Sequence, residues 1–116
     1  MNDMILWQKQ HEEWARRNFG DTHNLKNSVL GACEEVGELA HAVLKRDQSI
    51  RGTDDEHTEA IKDACADIII YLFGVANSEG FILHDVLQEV WGKVMMRDWQ
   101  SARATNGGQL SMELDT

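Results

Sequence analysis

Not one of the 116 residues is proline. Proline interrupts a helix more strongly than any other residue, because it lacks an N–H donor and its ring clashes with the preceding turn. A chain without it can run in long helices, and punctuation falls to glycine. Gly20, Gly52 and Gly80 separate four periodic stretches.

The first helix is expected from Asp3 to Asn18, with Leu6, Trp7, Trp14 and Ala15 turned inward and Gly20 as its left-handed stop. The second is expected from Asn24 to Lys45, where Val29, Ala32, Val36, Leu39, Ala40 and Val43 recur at helical spacing. Thr53 followed three residues later by Glu56 forms a capping box that opens the third, which reaches Ser78. The fourth runs from Leu83 to Ala104, with Val86, Leu87, Val90, Val94 and Met95 on its apolar side. Residues 105–116, "TNGGQLSMELDT", hold two glycines and no period, and are expected to form a loosely ordered tail. Short connections between amphipathic helices favour an all-α, antiparallel four-helix bundle over residues 1–104. A single domain of this size gains from oligomerisation.

Acidic residues number 20 against 11 basic ones, for a formal charge of −9. Such a balance disfavours a polyanionic partner like DNA, yet permits a phosphorylated small molecule when divalent cations mediate the contact. Cys33 and Cys65 show no metal-site spacing and read as reduced, buried small hydrophobes. The longest apolar run, Ile68 to Ala76, is too short to span a bilayer, and the N-terminus lacks the regions of a secretory signal. A cytoplasmic protein is the expectation.

Two acidic stretches stand out. In "CEEVGELAHAVLK", Glu34, Glu35 and Glu38 fall within an arc of about 100° on a helix, opposite Val36, Leu39 and Val43. In the third helix Glu56, Glu59, Asp63 and Asp67 form a second stripe, opposite Ile61, Ile68, Leu72 and Val75. The ordinary reading of an acidic helix face is solvation. Against it, like charges at i, i+4 destabilise a helix by roughly 0.2–0.5 kcal/mol per pair, and Glu34/Glu38, Glu59/Asp63 and Asp63/Asp67 are three such pairs. Lysine is sparse along the middle of both stripes, and Asp67 borders a run of apolar residues where an unpaired carboxylate is costly to bury. A hard divalent cation such as Mg²⁺ takes oxygen ligands, commonly joins one or two carboxylates to substrate phosphates, and would relieve all three conflicts.

"EEVGELAHAVLK", followed by a loop and then "IKDACADIIIYL", resembles the MazG-like nucleoside triphosphate pyrophosphohydrolases, an all-α group. The resemblance covers about residues 5 to 100, including Trp7–Gln8 and "KVMMRDW" at Lys93 to Trp99. It implies hydrolysis of a nucleotide between its α and β phosphates, with Mg²⁺ (or Mn²⁺) held by E-x-x-E on one helix and E-x-x-D on the next. The first motif falls on Glu35 and Glu38, and the Asp of the second falls on Asp67. The Glu of the second would fall on Ala64, and Asp63, on the same face as Asp67, is the replacement expected. By the same resemblance Glu34 would be the base that orients the attacking water, and Lys93 and Arg97 would sit near the phosphates. The reading implied is a pool-cleaning enzyme acting on deoxynucleoside triphosphates, working as a homodimer or homotetramer.

Trp7, Trp14 and Phe19 are candidates to stack on a base, although tryptophans at a heptad interval also suit a core. Asn77 shares Asp67's face and could bond a base or sugar, or cap the helix end. Glu38 and His41 form a Glu-x-x-His segment, the pattern of carboxylate-bridged di-iron bundles. The chain has no second copy of it; His57 follows Asp54 at that interval, but at a helix start. A catalytically silent interaction bundle is the remaining alternative.

Overall fold

The computed structural model describes residues 2–98 and residue 100. They are all-α, with no strand among the described residues. The helices are α1 (Asp3–Phe19), α2 (Leu25–Gln48), α3 (Asp54–Glu79) and α4 (Leu83–Met95), with a 3₁₀ turn at Gly20–Thr22 after α1. The chain divides into two compact units, Met1–Leu83 and His84–Thr116.

Local chemistry sets each boundary in the first unit. The Asn2 side chain accepts the Met4 N–H, and the Asn24 side chain accepts the Asn27 N–H, each relieving a free donor at a helix start. The expected capping box is present: Thr53 Oγ1 accepts the Glu56 N–H while Glu56 receives the Thr53 N–H. Gly80 ends α3 in the left-handed conformation (φ 76°, ψ 34°), and its N–H donates to the Ala76 carbonyl. Within this unit α2 and α3 share the most extensive contact, and α1 packs on α3.

The buried apolar side chains are small apart from one: Ala15, Ala42, Ala64, Phe73 and Ala76. The expected inward stripe of α2 turns out to face away from α3. Val29, Val36 and Val43 are 43%, 51% and 43% exposed, while Ser28, Gly31 and Ala42 are buried. Trp7 and Trp14 of α1 are likewise exposed, with Ala15 beneath. Small residues win the inner face because they let two helix backbones approach closely, which a valine ridge would prevent. Cys33 and Cys65, expected buried, are both exposed and free, since each lies outside that small-residue seam.

In the second unit, α4 stops at Met95 rather than running on toward Ala104. The Met96 and Arg97 N–H groups donate to the Lys93 and Val94 carbonyls, tight i→i−3 bonds that close the last turn. Lys93 Nζ lies 3.8 Å from Glu89 on the same helix. The expected tail, residues 105–116, lies outside the described residues.

Candidate active site

The register between α2 and α3 follows from their small residues. A methyl group added at Gly31 would overlap the Tyr71 ring, and one added at Gly74 would press on Ser28. Positions 28 and 31 thus meet 74 and 71, so the helices run antiparallel. Continued in register, Glu35 stands opposite Asp67, and Glu38 comes level with Ala64, which is 3% exposed. The two acidic stretches therefore face one another across the most extensive helix contact among the described residues.

Glu35 shows the consequence. Its Oε2 is buried without a hydrogen-bond partner. Burial raises its pKa above the ordinary carboxylate value, and the charges of Glu38, Asp67 and Glu34 push the same way, together with a hydrogen bond between the Glu35 and Glu38 carboxyl groups. A like-charge cluster facing an apolar seam stabilises nothing by itself; it calls for a cation or a proton.

Beside this pair a cleft of about 490 Å³ opens, bounded by α1, the 3₁₀ turn, α2 and α3. Glu35 and Asp67 supply its acidic part, while Trp14, Phe19 and Tyr71 give it aromatic walls. Trp14 and Phe19 meet edge to face, ring centres 5.4 Å apart at 84°. His11 lies deeper, its ring 5.5 Å from His23 and 6.3 Å from Phe73, with Nδ1 buried and unpartnered. Burial lowers the His11 pKa, His23 lowers it further, and Glu12 partly opposes both. The cleft thus joins aromatic rings, an unsatisfied imidazole and facing carboxylates. That combination suits a planar heterocycle attached to an anionic group held through a cation.

The other expected site residues divide. Trp14 and Phe19 line this cleft, and Glu34 and Glu38 line a neighbouring one. Asp63 is exposed and lines neither, although its i, i+4 relation keeps it on Asp67's side of α3. Trp7 is exposed and lines neither. Asn77 is engaged with Gln8: Gln8 Nε2 donates to Asn77 Oδ1 at 2.8 Å, and Asn77 Nδ2 donates to the Gln8 carbonyl at 3.2 Å. Lys93 and Arg97 belong to the second unit. His11, His23 and Tyr71 were not anticipated. Tyr71 had a signal, lying four residues after Asp67 on the same face; the histidines had none outside the fold.

Among the described residues, no three His, Cys, Asp or Glu side chains converge as a ready-made metal centre. The donor chemistry nevertheless fits Mg²⁺: an orphaned buried carboxylate oxygen with three further carboxylates around it, all hard oxygen ligands. It does not favour di-iron. His57, the only candidate for a second histidine arm named above, is buried with Nε2 at 2.9 Å from the Ile50 carbonyl.

A family model described as the MazG nucleotide pyrophosphohydrolase domain matches residues 23–101. Comparison with curated proteins and with solved structures returned no match. Among the described residues, no single helix is long and apolar enough to cross a membrane.

Proposed function

The chain belongs to the MazG family of nucleotide pyrophosphohydrolases, and from that premise we propose that it hydrolyses deoxynucleoside triphosphates to monophosphate and pyrophosphate, clearing unwanted nucleotides from the cytoplasmic pool. The observation that carries this reading is the unpartnered Glu35 Oε2 facing Asp67 at the edge of an aromatic cleft. The nucleoside enters that cleft, its base against Trp14 and Phe19, with His11 Nδ1 offering a hydrogen bond to the base edge. Glu35, Glu38 and Asp67 hold Mg²⁺, with Mn²⁺ as substitute and Asp63 as a further acidic neighbour. When bound, the cation neutralises phosphate charge and polarises the α-phosphoryl group.

Glu34 acts as general base. It takes a proton from a water whose oxygen attacks the α-phosphorus. The bond from that phosphorus to the α–β bridging oxygen breaks, and the bridge leaves with the β-phosphorus as pyrophosphate.

The exposed face of α2 supports a homodimer. Leu25, Val29, Cys33, Val36, Ala40 and Val43 recur every three or four residues and are all exposed, and no charged residue interrupts them. Val36, Ala40 and Val43 line a groove of about 740 Å³ together with Arg46 and Asp47. Adjacent opposite charges suit a two-fold pairing, in which each meets its complement on the second copy. A homotetramer is the larger alternative.

Hydrolysis in ¹⁸O-labelled water tests the reaction. Label is expected in the nucleoside monophosphate, with pyrophosphate unlabelled. Label in free orthophosphate, with no pyrophosphate formed, would overturn attack at the α-phosphorus.

A further inference from the structure

A second cleft, of about 480 Å³, adjoins the carboxylates through Glu34 and Glu38. Glu34, Glu38 and Lys45 of α2 line it together with Arg51 and His57. The loop between α2 and α3 is folded to bring Arg51 there. Ser49 and Arg51 both adopt positive φ, 56° and 59°, and Gly52 follows at 130°. The buried His57 ring fastens this turn by its bond to the Ile50 carbonyl, one residue before Arg51.

The two cations in this cleft are not spent on the two carboxylates beside them. Arg51 has no ion-pair or hydrogen-bond partner among the described residues. The Lys45 ammonium donates only to the neutral Gln48 Oε1, at 3.2 Å. The two carboxylates and the two cations that line the cleft are equal in number. A divalent cation on the carboxylate side leaves Arg51 and Lys45 to meet the oxygens of a polyphosphate. Arginine's planar fork suits phosphate oxygens in particular.

We propose that the second cleft is the pyrophosphate pocket, with Arg51 and Lys45 binding the two phosphates that leave while the nucleoside occupies the aromatic cleft. This rests on the pyrophosphohydrolase reading and assigns the leaving group to the end of α2 and the α2–α3 loop, apart from Lys93 and Arg97. The species held is the one formed when the α-phosphorus–bridging oxygen bond breaks. Inorganic pyrophosphate should therefore bind without a nucleoside, and nucleoside monophosphate should not depend on Arg51.

Equilibrium binding by calorimetry, with Mg²⁺ present, tests this on the full chain. Pyrophosphate and deoxynucleoside monophosphates are titrated separately into wild type, Arg51→Gln, Arg51→Lys, Lys45→Gln and Lys93→Gln, with melting curves reporting folding. Arg51→Gln and Lys45→Gln are each expected to weaken pyrophosphate binding by roughly 10- to 100-fold, the loss of one charge-assisted contact. Monophosphate affinity is expected to stay within about twofold of wild type, and Arg51→Lys, which keeps the charge but not the fork, to fall between. Unchanged pyrophosphate affinity in a folded Arg51 variant and in Lys45→Gln, or a loss seen in Lys93→Gln alone, would overturn the assignment. Failure of the wild type to release pyrophosphate from any triphosphate would instead overturn the functional reading.

Discussion

Gln8 and Asn77 exchange two hydrogen bonds across the α1–α3 contact, side chain to side chain at 2.8 Å and side chain to carbonyl at 3.2 Å. The Gln8 amide also donates to the Phe81 carbonyl and accepts the Leu83 N–H, both at 2.9 Å. One buried amide thereby ties α1 to the end of α3 and to the turn beyond Gly80.

Gln8→Ala leaves several of these partners buried and unmet. Its expected cost is about 1–3 kcal/mol in urea unfolding, the usual penalty for an unsatisfied buried polar group. Asn77→Ala should cost a similar amount, and the double variant less than the sum, because both remove the same contacts. If Asn77 instead reads a base or sugar, Asn77→Ala will shift the ranking of nucleotide substrates while sparing stability.

The helix boundaries of the first unit were legible because caps are local. Thr53 with Glu56, Gly20 and Gly80 each act within a few residues. The faces were misread for a physical reason. Hydrophobic periodicity ranks valine above serine and glycine, so Val29, Val36 and Val43 looked like the core, whereas close packing against α3 favours Ser28, Gly31 and Ala42. The carboxylates were legible through the repulsion they carry along each helix. His11, His23 and Tyr71 were not, because only the fold brings three separate segments to one cleft.

Gly31 is the critical point of that seam. Gly31→Ala would drive a methyl group into the Tyr71 ring, and overpacking of this kind typically costs about 1–3 kcal/mol. Tyr71 lines the aromatic cleft, so KM for nucleotide should rise as well. Stability by thermal melting and KM by steady-state kinetics check both. An unchanged Tm would mean that the α2–α3 spacing is not set by Gly31.

Stability should also report on His11. Burial and His23 hold its pKa below the ordinary histidine value, so the unfolded chain takes up the proton more readily than the folded one. The stability His11 contributes is complete above the ordinary histidine range and is lost as pH falls through it toward the lowered folded value. His11→Gln removes this titration. The fall in Tm between about pH 7.5 and about pH 5 should therefore be smaller in the variant, against the window set by an ordinary histidine. An equal fall in both proteins would assign the pH response elsewhere.

For Glu35 the sign is reversed. Its raised pKa means that the folded chain holds the proton more tightly, so stability is greatest in acid and declines as pH rises through the raised value. At neutral pH without divalent cations, Glu35→Gln should raise Tm. Adding Mg²⁺ should raise the wild-type Tm, since a ligand of the native state stabilises it, and should do little for the variant. A wild-type melting curve indifferent to both Mg²⁺ and Mn²⁺, with and without nucleotide, would return the acidic faces to simple solvation.

The division of labour among the carboxylates follows from where they stand. Glu34 lines the second cleft beside Glu38, whereas Asp67 lines the aromatic cleft opposite Glu35. Glu34→Gln preserves the size and reach of the side chain and removes only its basicity. It should lower kcat by roughly 10²–10⁴, the usual contribution of general acid–base catalysis, with Mg²⁺-dependent nucleotide binding near normal. Asp67→Asn removes a charge that the cation needs, so binding of metal and nucleotide should weaken together. The contrast is read by measuring kcat and equilibrium nucleotide affinity for both variants. If Glu34→Gln turns over at the wild-type rate, the base is another group, and Glu35, with its proton already held more tightly than an ordinary carboxyl, is the next to replace. If Asp67→Asn binds Mg²⁺ and nucleotide unchanged, the cation does not use the seam between α2 and α3.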